Sequence, residues 1–314
     1  MRIVAQARKS LKRIVLGADF PQQCAVGMCD PQPEIAVWLH GLGSPRDVTH
    51  SHLMACGAPL TIGIGLERRT SMAESGRLSL RFREREGSRL LGEIGLQFQS
   101  MVPAGDRELY LFQTQSYKNY CLPKARLWAR YLQYAYQRSK VKTSDVPITA
   151  REIHAMIVFY ICPRPVALVS VADASAINVF PMNLMGPIGN GYFSFALNSA
   201  TPVSRLVECS GSIALSGIPL EHAPLAYQLG KNHKKECIDC NQLPFATKTS
   251  SNLGLPVPQF SLRVREMQIE AVRRLGSHTL FVARTIHDER WNNGLQFFVV
   301  HGMYQARRER MYQP

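Results

Sequence analysis

The sequence predicts a mainly β protein, of the β-barrel class with peripheral helices, built as two barrel-like domains in tandem. Three observations lead there. Short alternating segments bounded by Gly and Pro recur through both halves, and no strand–helix–strand alternation separates them. Neither of the two common phosphate loops, G-x-G-x-x-G or G-x-x-x-x-G-K-[ST], occurs. The length of 314 residues suits about two domains.

The elements follow in order. Residues 34–43 (EIAVWLHGLG) read as a strand closed by glycines, and 59–66 (PLTIGIGL) as a second. In 77–86 (RLSLRFRERE) Leu78, Leu80 and Phe82 alternate with Arg77, Arg81 and Arg83, which is a strand with one buried face. Segments 91–99 and 108–113 extend this β region. A helix follows Pro123, with an expected inward stripe of Leu127, Trp128, Tyr131, Leu132 and Ala135. Polar residues 138–148 form the expected boundary between a first domain, 15–145, and a second, 149–314. Thr149 and Glu152 make a capping box, so a short helix opens the second domain. Strands are expected at 164–171, 191–198, 211–216, 278–286 and 295–301, and a helix at 219–229.

Composition narrows the function classes. With 46% hydrophobic and 19% charged residues the chain folds, and no run nears the roughly 18 apolar residues of a membrane span. The basic N-terminus lacks an apolar h-region, so no secretory signal is expected, and the eight cysteines read as reduced thiols in the cytoplasm. Cys237-x-x-Cys240 lacks further ligands at zinc spacing, so no metal site is expected. The net charge of +14 suits either a nucleic acid or an anionic cofactor. It spreads as +9 over residues 1–150 and +5 over the rest, and aromatics do not interleave with the basic groups as a stacking platform requires. Nucleic acid is therefore not the expected partner.

Sliding the chain by 131 residues aligns 36–70 with 167–201 without a gap, and seven of 35 positions match, among them Ala36/Ala167, Leu53/Leu184, Met54/Met185 and Thr70/Thr201. Chance gives roughly two at ordinary composition. Duplication is the reading favoured over two unrelated β segments of similar pattern.

Five ordered pieces of the second half carry a resemblance. They are Pro163-Arg-Pro-Val-Ala-Leu-Val-Ser170, Ile177-Asn-Val-Phe-Pro-Met-Asn183, Ser194 through Arg205, Ser277-His-Thr-Leu-Phe-Val282, and Leu295 through Tyr304. Together, over about residues 160–305, they resemble the flavin reductase-like family of FMN-binding split barrels. Two departures stand out: Asn183 where the family often has Ser, and Ala283-Arg284 where it has Gly. The resemblance implies FMN as cofactor, NAD(P)H as hydride donor and a small-molecule substrate. Split-barrel flavoproteins are usually homodimers with FMN near the interface, so a fused pair would act as a monomeric pseudo-dimer or dimerise further.

It also implies a site. Ser199, Thr201, Ser204 and Arg205 would hold the phosphate, although Ser and Thr beside Pro202 equally read as an ordinary helix start. Asn178, Met182, Asn183 and Leu184 would lie along the isoalloxazine edge, or form a plain Pro turn. Arg164, between two prolines, would approach phosphate or ring, and reads equally as a surface arginine. His278 would be the catalytic residue facing flavin or hydride donor, against the commoner structural role of a lone histidine. The expected function is an FMN-dependent oxidoreductase of the flavin reductase-like kind. The alternative is a non-catalytic flavin-binding, or haem-related, split barrel.

Overall fold

The computed structural model describes residues 23–70, 72, 76–139 and 148–311. The first half holds β1 (Gln23–Met28), β2 (Ile35–His40), β3 (Arg46–Asp47), β4 (His52–Gly57), β5 (Leu60–Glu67), β6 (Ser79–Glu84), β7 (Leu90–Ala104) and β8 (Arg107–Asn119). Strands β2 to β8 form one antiparallel sheet in the order β3-β2-β6-β7-β8-β5-β4. Two helices follow, α1 (Lys124–Ser139) and α2 (Ala150–Phe159).

The second half holds β9 (Arg164–Pro165), β10 (Ala167–Ala172), β11 (Ile177–Met182), β12 (Met185–Gly189), β13 (Tyr192–Asn198), α3 (Pro202–Ser210) and β14 (Ser212–Gly217). It continues with α4 (Ala223–Leu229), β15 (Thr247–Thr249), β16 (Pro256–Pro258), β17 (Arg263–Leu275), β18 (His278–Arg290), β19 (Gln296–His301) and α5 (Gly302–Met311). Its main sheet runs β11-β10-β14-β17-β18-β13-β12. Replacing β2 to β6 by β10 to β14, and β7 and β8 by β17 and β18, turns one order into the other. The mainly β class expected from the sequence is what the chain adopts.

The repeat thus has a topological counterpart. Strands β2 and β10 begin at 35 and 167, and β5 and β13 at 60 and 192, an offset of 132 in each case. The gapless slide of 131 therefore pairs Ala36 with Ala167 one place out of register. Farther on, Thr70 and Thr201 do match in geometry: each hydroxyl donates back to the carbonyl three residues earlier, Glu67 at 2.8 Å and Asn198 at 2.7 Å. The second half adds α3 after β13, and residues 218–262 where the first has only the turn 85–89.

The halves meet through reciprocal contacts, as in an isologous dimer. Gly105, in the β7–β8 turn at φ +64, leaves room for the Tyr192 ring at the tip of β12–β13, and any Cβ there would overlap it. Gly276, in the β17–β18 turn at φ +49, lies against the Ala58 carbonyl at the tip of β4–β5. The first residues of β8 and β18 complete the pair: Arg107 Nη1 donates to Ile188 O at 3.3 Å, and His278 Nδ1 accepts from Gly57 N at 3.3 Å. At the centre Gly65 runs so close to Ile188 that a Cβ would collide with its backbone. One buried apolar cluster spans both halves, including Ile62, Ile64, Leu184 and Ile188, while a second fills the barrel of the second half around Val169, Phe195 and Phe281.

Helix α2 opens on the expected box: Thr149 Oγ1 accepts from Glu152 N, and the Glu152 carboxylate accepts from Thr149 N. The same carboxylate accepts from Leu60 N at 3.1 Å, so the cap also ties α2 to the first half. Helix α1 departs from its expected stripe. Tyr131 stacks on His154 of α2 at 3.9 Å and Tyr134 meets the His301 ring edge-on, leaving Trp128 and Leu132 64% and 68% exposed. The aromatic contacts with neighbouring imidazoles select the face that docks. The expected boundary at 138–148 lies mostly outside the described residues. No described helix is long and apolar enough to cross a membrane.

Because the closest approaches across the seam are to backbone, Gly65→Ala and Gly276→Ala should each destabilise the protein by roughly 1–3 kcal/mol in chemical denaturation. Gly76→Ala, which faces open space, should change it by under about 0.5 kcal/mol.

Candidate functional site

A cavity of about 380 Å³ opens at the seam. The first half lines it with Gln32, Thr49, His50 and His52, and the second with Met185–Pro187, the β12–β13 hairpin, Phe193 and Leu215. Phe298 of β19 and residues Cys162–Pro165 close it, and its walls are largely apolar.

Arg164 is its most unusual component. Prolines on both sides hold the backbone extended, and Arg164 pairs with Val299 as a two-residue strand. The side chain is 95% buried. Its Nη2 donates to His52 O at 2.9 Å and to Met185 O at 2.7 Å, one carbonyl from each half. Its Nη1 reaches His52 Nε2 at 3.3 Å, the Phe159 ring lies 5.3 Å from the guanidinium carbon, and Nε has no partner. Among the described residues no carboxylate pairs with it. Burial lowers its pKa, but an arginine so far above neutrality stays charged.

The surroundings are arranged for that charge. Burial, then the Arg164 charge, pushes His52 down to about 3, so its ring is neutral. Its Nδ1 donates to Val48 O at 2.8 Å, which leaves Nε2 as acceptor toward Arg164. The other two arginines at the rim are already neutralised: Arg263 and Arg265 both hold Asp288, and Arg265 also lies 3.6 Å from Asp30. Burial opposes ionisation of Asp288, but the hydrogen bond from Arg263 and both positive charges prevail and keep its pKa low. Arg164 is thus the cavity's one uncompensated charge among the described residues, a position that favours an anionic ligand.

Of the residues expected at the site, Arg164 alone lines this cavity. Asn178 is fully buried, its amide donating to Asn232 O at 3.1 Å and Lys235 O at 2.8 Å, so residues 230–235 cover it. Asn183 is 2% exposed and donates to Tyr160 Oη at 3.2 Å. Met182 packs in the second barrel and Leu184 in the core shared by the halves. All four are buried residues. Ser199, Thr201, Ser204 and Arg205 gather at the start of α3, outside this cavity. Ser199 Oγ meets Thr279 Oγ1 at 3.0 Å, Thr201 donates to Asn198 O, Ser204 is buried and Arg205 is exposed.

His278 lies away from this cavity. It is fully buried at the seam, outside the cavity, and its Nδ1 accepts from Gly57 N and lies 2.8 Å from Ser277 Oγ. Its place at the head of β18 makes it the counterpart of Arg107, a clamp on the other half's hairpin. Burial pushes it down to about 4, so it serves as a neutral acceptor.

The residues that sequence reasoning missed are His50, His52, Met185 and Phe193. A signal for the first two existed. The slide of 131 sets residues 50–52 opposite 181–183, so the turn expected to edge a ring had an approximate counterpart in the first half, although the strands themselves are offset by 132. Cys237 is exposed and Cys240 half-buried, and among the described residues no three His, Cys, Asp or Glu side chains gather to hold a metal.

The neutral histidines set a pH dependence. His278, at about 4, and His52, at about 3, bind a proton less readily folded than unfolded, where the value is 6.5. The stability they confer is complete above pH 6.5 and is lost as pH falls from there toward 4. Each contributes on the order of 3 kcal/mol at most across that window. Scanning calorimetry should therefore show Tm falling between pH 6.5 and 4.5, and His278→Gln should flatten part of that fall while lowering Tm at pH 7.

No family model and no curated protein matches this sequence. Solved structures do. The NADH:FAD oxidoreductase SgcE6 of Streptomyces globisporus is similar over 51% of this chain and 95% of its own, at 15% identity and a TM-score of 0.45. An FMN-binding protein from Thermus thermophilus is similar over 52% of this chain and 91% of its own, at 19% identity and a TM-score of 0.41. BorF, the flavin reductase component of a bacterial two-component tryptophan halogenase, is similar over 47% and 92%, at 16% identity and a TM-score of 0.42.

Proposed function

We propose that the protein is a flavin-dependent oxidoreductase of the flavin reductase-like kind, acting as a fused pseudo-dimer that holds a flavin, FMN first, in the seam cavity. The observation that carries this reading is the buried, uncompensated Arg164 guanidinium in a cavity of about 380 Å³ between the halves. The five ordered sequence pieces of the second half support it independently. A volume within the usual range of roughly 300–1,000 Å³ for small-molecule pockets and largely apolar walls suit a flat ring. One guanidinium suits the anionic part of the molecule.

A bound flavin supplies reversible two-electron chemistry, with NAD(P)H as the proposed hydride donor. The chain's own residues would do the rest. Arg164 holds negative charge at the base of the cavity. Neutral His52 and two backbone carbonyls fix the guanidinium in place. Met185, Phe193, Leu215 and Phe298 keep water from the apolar wall.

The test is an absorbance spectrum of the purified protein before and after adding FMN, followed by NADH or NADPH. Binding should perturb the flavin bands, and nicotinamide should be consumed. Flavin binding without nicotinamide oxidation would indicate a non-catalytic binder. Neither binding nor oxidation would sink the proposal.

A further inference from the structure

We infer that this chain holds one ligand, not the two that its internal symmetry allows, because the second of its two equivalent barrel mouths is plugged and the sheet row beneath the plug carries no charge. The ligand's identity as a flavin rests on the function proposed above.

The sheet registers make the comparison position by position. In the second half Leu215 pairs with Arg265, and Arg265 with Asp288, a row across β14, β17 and β18 that faces the cavity. In the first half the corresponding row across β6, β7 and β8 is Phe82, Gly92 and Asn119. The two rows correspond because Val169 pairs with Leu215 just as Val37 pairs with Phe82, and Val37 and Val169 stand 132 residues apart, as the strand starts do.

The first-half row is covered. A Cβ on Gly92 would lie 2.6 Å from Val158 Cγ1 and 2.7 Å from Ile161 Cδ1, so α2 and the residue two beyond it sit directly on the sheet. His154 of the same helix meets Tyr117 Oη at 2.6 Å, and Glu152 caps it onto Leu60. Phe82 is fully buried.

No described helix covers the other mouth. The residues 132 places before α2 are 18–27, and those described, from Gln23 on, form β1, extended along β19. The chain then lines the cavity at Asp30–Gln32.

The anchor differs as well. The residue 132 places before Arg164 in the sequence is Gln32, which lines the same cavity as Arg164 and is neutral, so no arginine stands at the matching sequence position. The first-half row of Phe, Gly and Asn has no charge, where the second-half row has an arginine and an aspartate.

Equilibrium titration of the full chain with FMN should therefore saturate at one flavin per chain. Arg164→Gln should weaken that binding at least tenfold and leave no second tight site. Because Arg164 also bridges the halves, His50→Glu serves as a second variant: the residue is exposed at the cavity rim, and the added negative charge should weaken binding several-fold. Saturation at two flavins per chain overturns the single-site inference and leaves the flavin reading standing. One flavin bound with unchanged affinity in both variants also overturns it, by placing the ligand elsewhere. No binding of FMN or FAD up to millimolar concentration overturns the flavin reading and this inference with it.

Discussion

Two glycines at the tips of long hairpins, Gly105 and Gly276, let each half of the chain lay its turn against the hairpin of the other. A side chain at either position would strike a ring or a backbone carbonyl. Everything else at the seam depends on that approach. It brings β4 beside β12 and allows Gly65 to pass Ile188. It also carries His52 and Met185 close enough that one arginine can donate to a carbonyl from each. The residues heading β8 and β18, Arg107 and His278, then clamp the opposing hairpins with one polar contact each.

A symmetric seam need not give symmetric chemistry. Burying a guanidinium without a carboxylate is unfavourable unless hydrogen bonds or a ligand offset the lost hydration. Arg164 has two carbonyls and a neutral histidine, and one of its N–H groups is still unsatisfied. Its counterpart Gln32 carries no such strain. Helix α2 closes one mouth, while the described residues at the matching place before the other, from Gln23 on, form β1.

Much of this was legible in the sequence. Alternation in 77–86 marks a half-buried strand because side chains of a strand point to opposite faces, and the capping box at Thr149 marks a helix start because it satisfies local amides. Such signals act over a few residues. The repeat was legible only in outline, because the gapless slide of 131 falls one place short of the offset of 132 between the strands. The stripe on α1 was misread, because Trp128 and Tyr131 are both apolar and only the neighbouring His154 decides which one turns inward.

The site divides along the same line. Local pattern pointed to an extended segment at 163–165 and to a helix start beside Pro202, both of which the structure has. The tertiary structure decided which copy of each motif meets open space. Asn178 and Asn183 have the residue types of a ligand turn, yet they lie beneath the 230–235 segment and beside Tyr160, while His50 and His52 face the cavity. Sequence pattern sets what a residue can bond to. Which partner reaches it first depends on how sheets from distant parts of the chain pack, and at this seam that packing is governed by the absence of a Cβ at a few glycines.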